Sequence, residues 1–302
     1  WGDGLTPMTL AQQYPAWLTT EESGHARTAP SSIQEEGCKE CHSVEGSLDR
    51  MGQWDESKNL PSATGATWQE TCVSCHDPHR EPGAVANRNL LRLPRDELCE
   101  KCHTNEAVGY ADMPSQSQKE ILNGTTAAGV LDKVGGNPGM LGQVGCADCH
   151  MPKVAVSATE FDRSSHTFKP LMPEDGVAFD MPDSCTVVCH TSMTQPNAQS
   201  VIDTWIDRYD DEKALAEEIY LEAEALVRSA MQNDTLPADV EETFQRASFN
   251  FNLAESMGAA VHNPDFVADL FADVRIRSED VVIALSKGTI TGKVTHNGTP
   301  VS

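Results

Sequence analysis

No apolar run in this 302-residue chain approaches the roughly 18 residues that a bilayer-spanning helix requires, which argues against a membrane-embedded body. Basic side chains are scarce: 22 Lys and Arg stand against 46 Asp and Glu, a formal charge of −24. Such a surface repels polyphosphate and anionic lipid, so nucleic acid is not expected as a partner, and basic proteins, metal ions or mineral surfaces are better matched. Aromatic side chains make up only 6% of the chain, little with which to fill a conventional core. No Met opens the chain and no charged-then-apolar leader precedes Trp1, from which a removed targeting segment, and hence export, is expected. Nor is any cysteine left over once one pattern has been taken out.

That pattern is Cys38-Lys39-Glu40-Cys41-His42, Cys72-Val73-Ser74-Cys75-His76, Cys99-Glu100-Lys101-Cys102-His103, Cys146-Ala147-Asp148-Cys149-His150 and Cys185-Thr186-Val187-Val188-Cys189-His190. Four have the two-residue gap of covalent haem c attachment, and the fifth widens the gap to three with the His still adjacent. Two thiols reach the two vinyl groups of one porphyrin while the neighbouring imidazole meets the iron from below. Zinc sites and structural disulfides compete for a lone Cys-x-x-Cys, but neither needs a histidine at a fixed offset. Five such placements by chance have a probability on the order of 10⁻⁸. The expected cofactors are five covalently attached haem c groups, held by the ten cysteines, with His42, His76, His103, His150 and His190 as proximal iron ligands. Haem attachment of this kind implies a compartment outside the cytoplasm.

Five histidines remain, His25, His79, His166, His262 and His296, one for each expected iron. Matching counts favour bis-histidine ligation, which closes each iron and suits electron transfer better than substrate binding. His79 lies three residues from His76, too close to reach the opposite face of the same porphyrin, and is assigned to a neighbouring haem. His262 falls at a helix junction, with Asn263 and Pro264 as N-cap and first helical residue. His25 lies in the polar approach to the first motif, and His166 between the fourth and fifth. His296 precedes Asn297-Gly298, a hairpin turn signal, and strand alternation places it with Ile290 and Val294; turn residue and ligand both remain open for it.

The fold expected is mainly α with extensive coil and a haem core, in three parts. Residues 1–205 form a loop-rich five-haem region, 206–288 a helical region that covers the haems and supplies a distal His, and 289–302 a β-hairpin, either an intersubunit contact or the start of a β domain. Motif starts are 34, 27, 47 and 39 residues apart, so no solenoid repeat is present. Leu215, Ile219, Ala223, Leu226 and Ala230 make one helical stripe; Val240, Phe244, Ala247, Phe251, Ala254 and Met257 make a second. They read as an antiparallel pair, followed by a helix from Pro264 and another from Ser278 to the Gly288 stop. With porphyrins supplying its core, the haem-free chain is expected to be unfolded. Arg50, Arg80, Arg88, Arg92 and Arg163 are candidate partners for haem propionates.

The stretches Ser23-Gly24-His25-Ala26, Cys75-His76-Asp77-Pro78-His79, Cys149-His150-Met151-Pro152, Ser165-His166-Thr167-Phe168 and Val261-His262-Asn263-Pro264-Asp265-Phe266 resemble ligand motifs of the superfamily that includes pentahaem nitrite reductase and hydroxylamine oxidoreductase. The resemblance runs from about residue 20 to 275, and implies distal-ligand roles for His25, His79, His166 and His262. Ammonia-forming nitrite reductases typically carry one motif ending in Lys, whereas all five here end in His, so the reductase site is not implied. At about 60 residues per haem the chain is also similar to extracellular cytochrome filament subunits, in which a subunit often lends a histidine to its neighbour. His296 or His25 would play that part.

The function expected is electron transfer along stacked bis-His haems by an extracellular or cell-surface polymeric wire, with other copies of the chain or other redox proteins as partners. Two alternatives stand beside it: a reductase or oxidase of small nitrogen or sulfur species at one open haem, and a monomeric periplasmic electron shuttle.

Overall fold

The computed structural model describes residues 34, 38–55, 59–68, 71–77, 79, 90–105, 109–110, 114, 116–130, 145–151, 153–154, 163–164, 168, 192–286, 295–296 and 299–300. The chain divides into two compact units. One comprises Trp1–Asn105, Gln116–Lys119 and Asn137–Thr204, the other Glu106–Ser115, Glu120–Gly136 and Trp205–Ser302. The described part is mainly helical with much coil. No described helix is long and apolar enough to cross a membrane.

The first unit carries short helices: α1 (Lys39–His42), α2 (Val44–Arg50), α3 (Cys72–Cys75), α4 (Arg95–Glu100) and α6 (Cys146–His150), while α5 (Gln118–Asn123) spans the division. Two-residue antiparallel pairings join β1 (Lys153–Val154) to β2 (Arg163–Ser164), and β3 (Thr295–His296) to β4 (Thr299–Pro300). The rest of the 289–302 hairpin expected from sequence lies outside the described residues.

The second unit has a core of its own. Its long helices are α7 (Gln195–Gln232), which begins in the first unit, α8 (Ala238–Ala254) and α10 (Pro264–Ser286), with the single turn α9 (Ala259–His262) before the last. Phe266, Val267, Leu270, Phe271 and Val274 of α10 are all at most 1% exposed and pack on Phe249, Phe251 and Leu253 of α8. A seam of small and aromatic residues on α7 completes the layer. Tyr220 stacks on Phe251 with ring centroids 4.6 Å apart, and its hydroxyl meets the Ser248 hydroxyl at 2.9 Å. Tyr209 meets the edge of Phe271 at 5.4 Å. Lys213 bonds Glu255, Tyr220 bonds Ser248, and Val227 packs with Val240, so α7 and α8 run antiparallel, as the two stripes suggested. Two residues beyond α7, Asp234 is left-handed at φ 55°, and the Thr235 amide then reaches back to the Ala230 carbonyl at 2.9 Å.

A buried polar clamp holds the 124–130 loop on this bundle. Asn250 is fully buried; its Oδ1 accepts from the Ala128 amide (2.7 Å) and its Nδ2 donates to Asp273 (2.7 Å). Arg277 donates to Asp273 (2.6 Å) and to the Ala128 carbonyl (3.1 Å), so each member satisfies the others in a setting where a missing partner would be costly.

Three expectations need correction. The α7 seam is Ala216, Ala223, Val227 and Ala230, and Leu215 is 55% exposed: the buried face follows the tyrosines and alanines that fit close against α8 rather than the largest aliphatics. Met257, at 79% exposure, lies beyond the end of α8. Ser278 starts no new helix. It is fully buried in the middle of α10, where packing against the bundle overrides its capping preference.

Candidate haem-binding turns

Four of the five attachment segments, those with the Cys-x-x-Cys-His spacing, fall on described residues, and each forms one helical turn. The His amide donates to the carbonyl of the first Cys at His42–Cys38 (3.1 Å), His76–Cys72 (2.9 Å) and His103–Cys99 (3.0 Å), and the fourth segment is helix α6 itself. Positions i, i+3 and i+4 share a helical face, so two sulfurs and one imidazole leave each turn on the same side. Residues between the cysteines close two of the turns. Ser74 Oγ accepts from the Thr71 amide (3.1 Å) and Asp148 Oδ2 from the Gly145 amide (2.7 Å).

Cationic side chains tie the turns to their surroundings through those same intervening residues. Lys39, buried, donates to the Pro61 carbonyl at 2.8 Å. Arg50 donates to the Lys101 carbonyl, linking α2 to the third turn. Arg92 donates to the Val73 carbonyl at 2.7 Å, and its amide to the Cys75 carbonyl at 2.9 Å, fastening the approach to the third turn onto the second. Arg95 pairs with Asp148 at 2.8 Å, joining the third turn to the fourth. Gly145 presses on the Asp96 carboxylate so closely that any Cβ would collide with it. Arg50 and Arg92, expected on propionates, are thus engaged with backbone. Arg80 and Arg88 lie outside the described residues, as does the side chain of Arg163.

The donor set fits haem c. The eight described cysteines are all free thiols. Among the described residues no three His, Cys, Asp or Glu side chains converge as a cage for a metal ion. The Cys99 thiol is pushed up by its neighbour Cys146, with burial and the nearby Cys75 adding to the effect, and Cys146 is pushed down by the same neighbour. In a loaded protein these sulfurs are thioethers, and their proximity brings the third and fourth attachment points together. Burial pushes the His42 imidazole down. Burial also dominates at His103, against the bond to Gln118, with His150 and His42 adding to the lowering. In both cases burial favours the neutral ring, the form that binds iron. His103 Nδ1 lies 3.3 Å from Gln118 Oε1, and His150 Nδ1 lies 3.0 Å from the Phe168 carbonyl. With Nδ1 donating, the lone pair sits on Nε2, where an axial ligand needs it.

Of the spare imidazoles, His79 is exposed, its amide bonded to Asp77 Oδ1 at 3.0 Å. His262 closes α9, and the expected junction is present: Asn263 is buried, its Oδ1 accepts from the Phe266 amide at 3.2 Å, and α10 starts at Pro264. His25, His166, His190, Cys185 and Cys189 lie outside the described residues; His296 is described only as backbone paired with Thr299. Sequence reasoning missed Gln118, the Phe168 carbonyl, Arg95 and Gly258, since none stands at a fixed offset from the residue it serves.

The family described as Cytochrome c552 matches residues 139–300, more than half of the chain, and a doubled CXXCH motif family matches residues 64–108. No curated protein sequence matches. Among solved structures the chain is similar in fold to an undecahaem cytochrome from the S-layer of Carboxydothermus ferrireducens, with TM-score 0.54 and 20% identity over 92% of this chain and 42% of that one. The chain therefore spans less than half the length of that protein.

Proposed function

The chain belongs to the cytochrome c552 family and is a multihaem c-type cytochrome, and on that premise we propose that it carries electrons along five bis-His haem c groups outside the cytoplasm. What supports this reading is the set of helical turns that bring two thiols and an imidazole to one side, with the third and fourth turns joined through Arg95–Asp148 at 2.8 Å. Cys38, Cys41, Cys72, Cys75, Cys99, Cys102, Cys146, Cys149, Cys185 and Cys189 hold the haems. The adjacent histidines are proximal ligands, and His25, His79, His166, His262 and His296 are distal ones. A six-coordinate iron rearranges little on reduction, and the chain's own part is to fix ring tautomers and spacing. The S-layer setting of the similar undecahaem protein supports placement at the cell surface, and self-association into a filament is part of the proposal.

Low-temperature EPR of the oxidised holoprotein, with cyanide and nitrite added, tests it, alongside negative-stain microscopy of the same sample. Five low-spin centres indifferent to both ligands, with fibres on the grid, are expected. A high-spin, ligand-responsive fraction near one iron in five would refute full closure and favour the reductase, and particles of single-chain size would refute the filament.

A further inference from the structure

The turn that presents His262 is built around a glycine. Gly258 sits in the left-handed region at φ +78°, and its carbonyl accepts the His262 amide at 3.0 Å. A Cβ on Gly258 would lie 3.0 Å from Cε1, 3.3 Å from Nδ1 and 3.7 Å from Nε2 of the His262 ring. We propose that Gly258 is a positioning residue that sets the direction of the His262 imidazole toward its iron, an inference that rests on His262 being a distal ligand.

Two demands meet at this position. The left-handed backbone favours Gly, with Asn the least unfavourable substitute. The ring's approach is a separate demand: a Cβ 3.0 Å from Cε1 is so tight that the ring must give way by a few tenths of an ångström. That carbon lies between the two ring nitrogens, so relieving the pressure swings Nε2 away from its aim. The backbone that follows is fixed: Asn263 is fully buried, caps α10 through Phe266, and its carbonyl accepts from Val267 at 3.0 Å. The half-buried imidazole thus faces, at residue 258, a surface that is open only because that residue has no side chain, on a turn that runs straight into a fixed cap. A metal–nitrogen bond is directional, so a tilt of the ring is read directly in the ligand field of the iron.

The test uses the full holoprotein with Gly258→Asn, which keeps the left-handed turn and adds the Cβ. Two controls accompany it: His262→Ala, and Gly109→Asn, whose site has φ +80° and nothing within 4 Å of an added Cβ. The readouts are low-temperature EPR and optical spectra with and without free imidazole. Gly258→Asn is expected to shift the largest g value of one low-spin haem or turn part of it high-spin, with imidazole restoring a low-spin signal as it does in His262→Ala. Gly109→Asn is expected to leave all haem signals unchanged. If Gly258→Asn keeps the parent spectrum while His262→Ala yields a high-spin haem, the ligand reading stands and the positioning inference falls. An all-low-spin His262→Ala overturns both. A haem change in Gly109→Asn equal to that in Gly258→Asn would reduce the effect to general strain and overturn the inference.

Discussion

At the scale of single residues, the attachment sites were legible because covalent chemistry dictates their spacing. Two thiols and an imidazole on one porphyrin require i, i+3 and i+4, and the described turns adopt that geometry with the His amide on the first Cys carbonyl. The residues that tune those ligands were not legible, because they arrive through tertiary contact. Gln118 reaches His103 from another helix and accepts from its Nδ1. A stronger acceptor gives the ring more imidazolate character and favours ferric iron. Gln118→Glu should therefore lower the midpoint potential of the haem on Cys99 and Cys102, and Gln118→Leu should raise it. Spectroelectrochemical titration of both variants checks the two opposite signs, and a shift of the same sign in both would refute the contact as a tuning device.

Among the elements, periodicity gave the helices but misplaced one face and one boundary. Ala223 and Ala230 were read correctly, while Leu215 was assigned inward and Tyr220 was not, although Tyr220 spans two phenylalanines and a serine hydroxyl. Hydrophobicity scales rank Leu above Tyr, but a close α7–α8 approach favours small residues and flat rings. Ser278 was misread for a related reason: a serine before acidic residues looks like an N-cap, yet here its hydroxyl is buried with no hydrogen-bond partner among the described residues. A capping serine loses about 1 kcal/mol on change to Ala. In the continuous α10 the same substitution removes an unsatisfied hydroxyl and improves helix propensity, so Ser278→Ala should leave stability unchanged or raise it by about 0.5 kcal/mol. Chemical denaturation followed by circular dichroism distinguishes the two signs.

Across the whole molecule, apolar burial is uneven. Nearly all the fully buried large side chains among the described residues belong to the second unit, while the first is held by hydrogen bonds, ion pairs and short turns. The sequence showed this contrast as loop-rich and striped halves but suggested that the haem-free chain unfolds throughout. The bundle instead has an aromatic and aliphatic core of its own. Full-length protein made without haem attachment should keep the helicity of 205–286 and protect its amides from exchange, while 38–105 and 145–151 exchange freely. Hydrogen exchange with mass spectrometry checks this, and equal protection in both units would refute it. The turns themselves add a consequence for biogenesis. Each closes on its own backbone, so a few residues carry everything a maturation enzyme must recognise, and the enzyme's grip can complete a turn that exchanges freely on its own. Cofactor loading can then run from the first turn onward, ahead of the folding that later fixes the distances between haems.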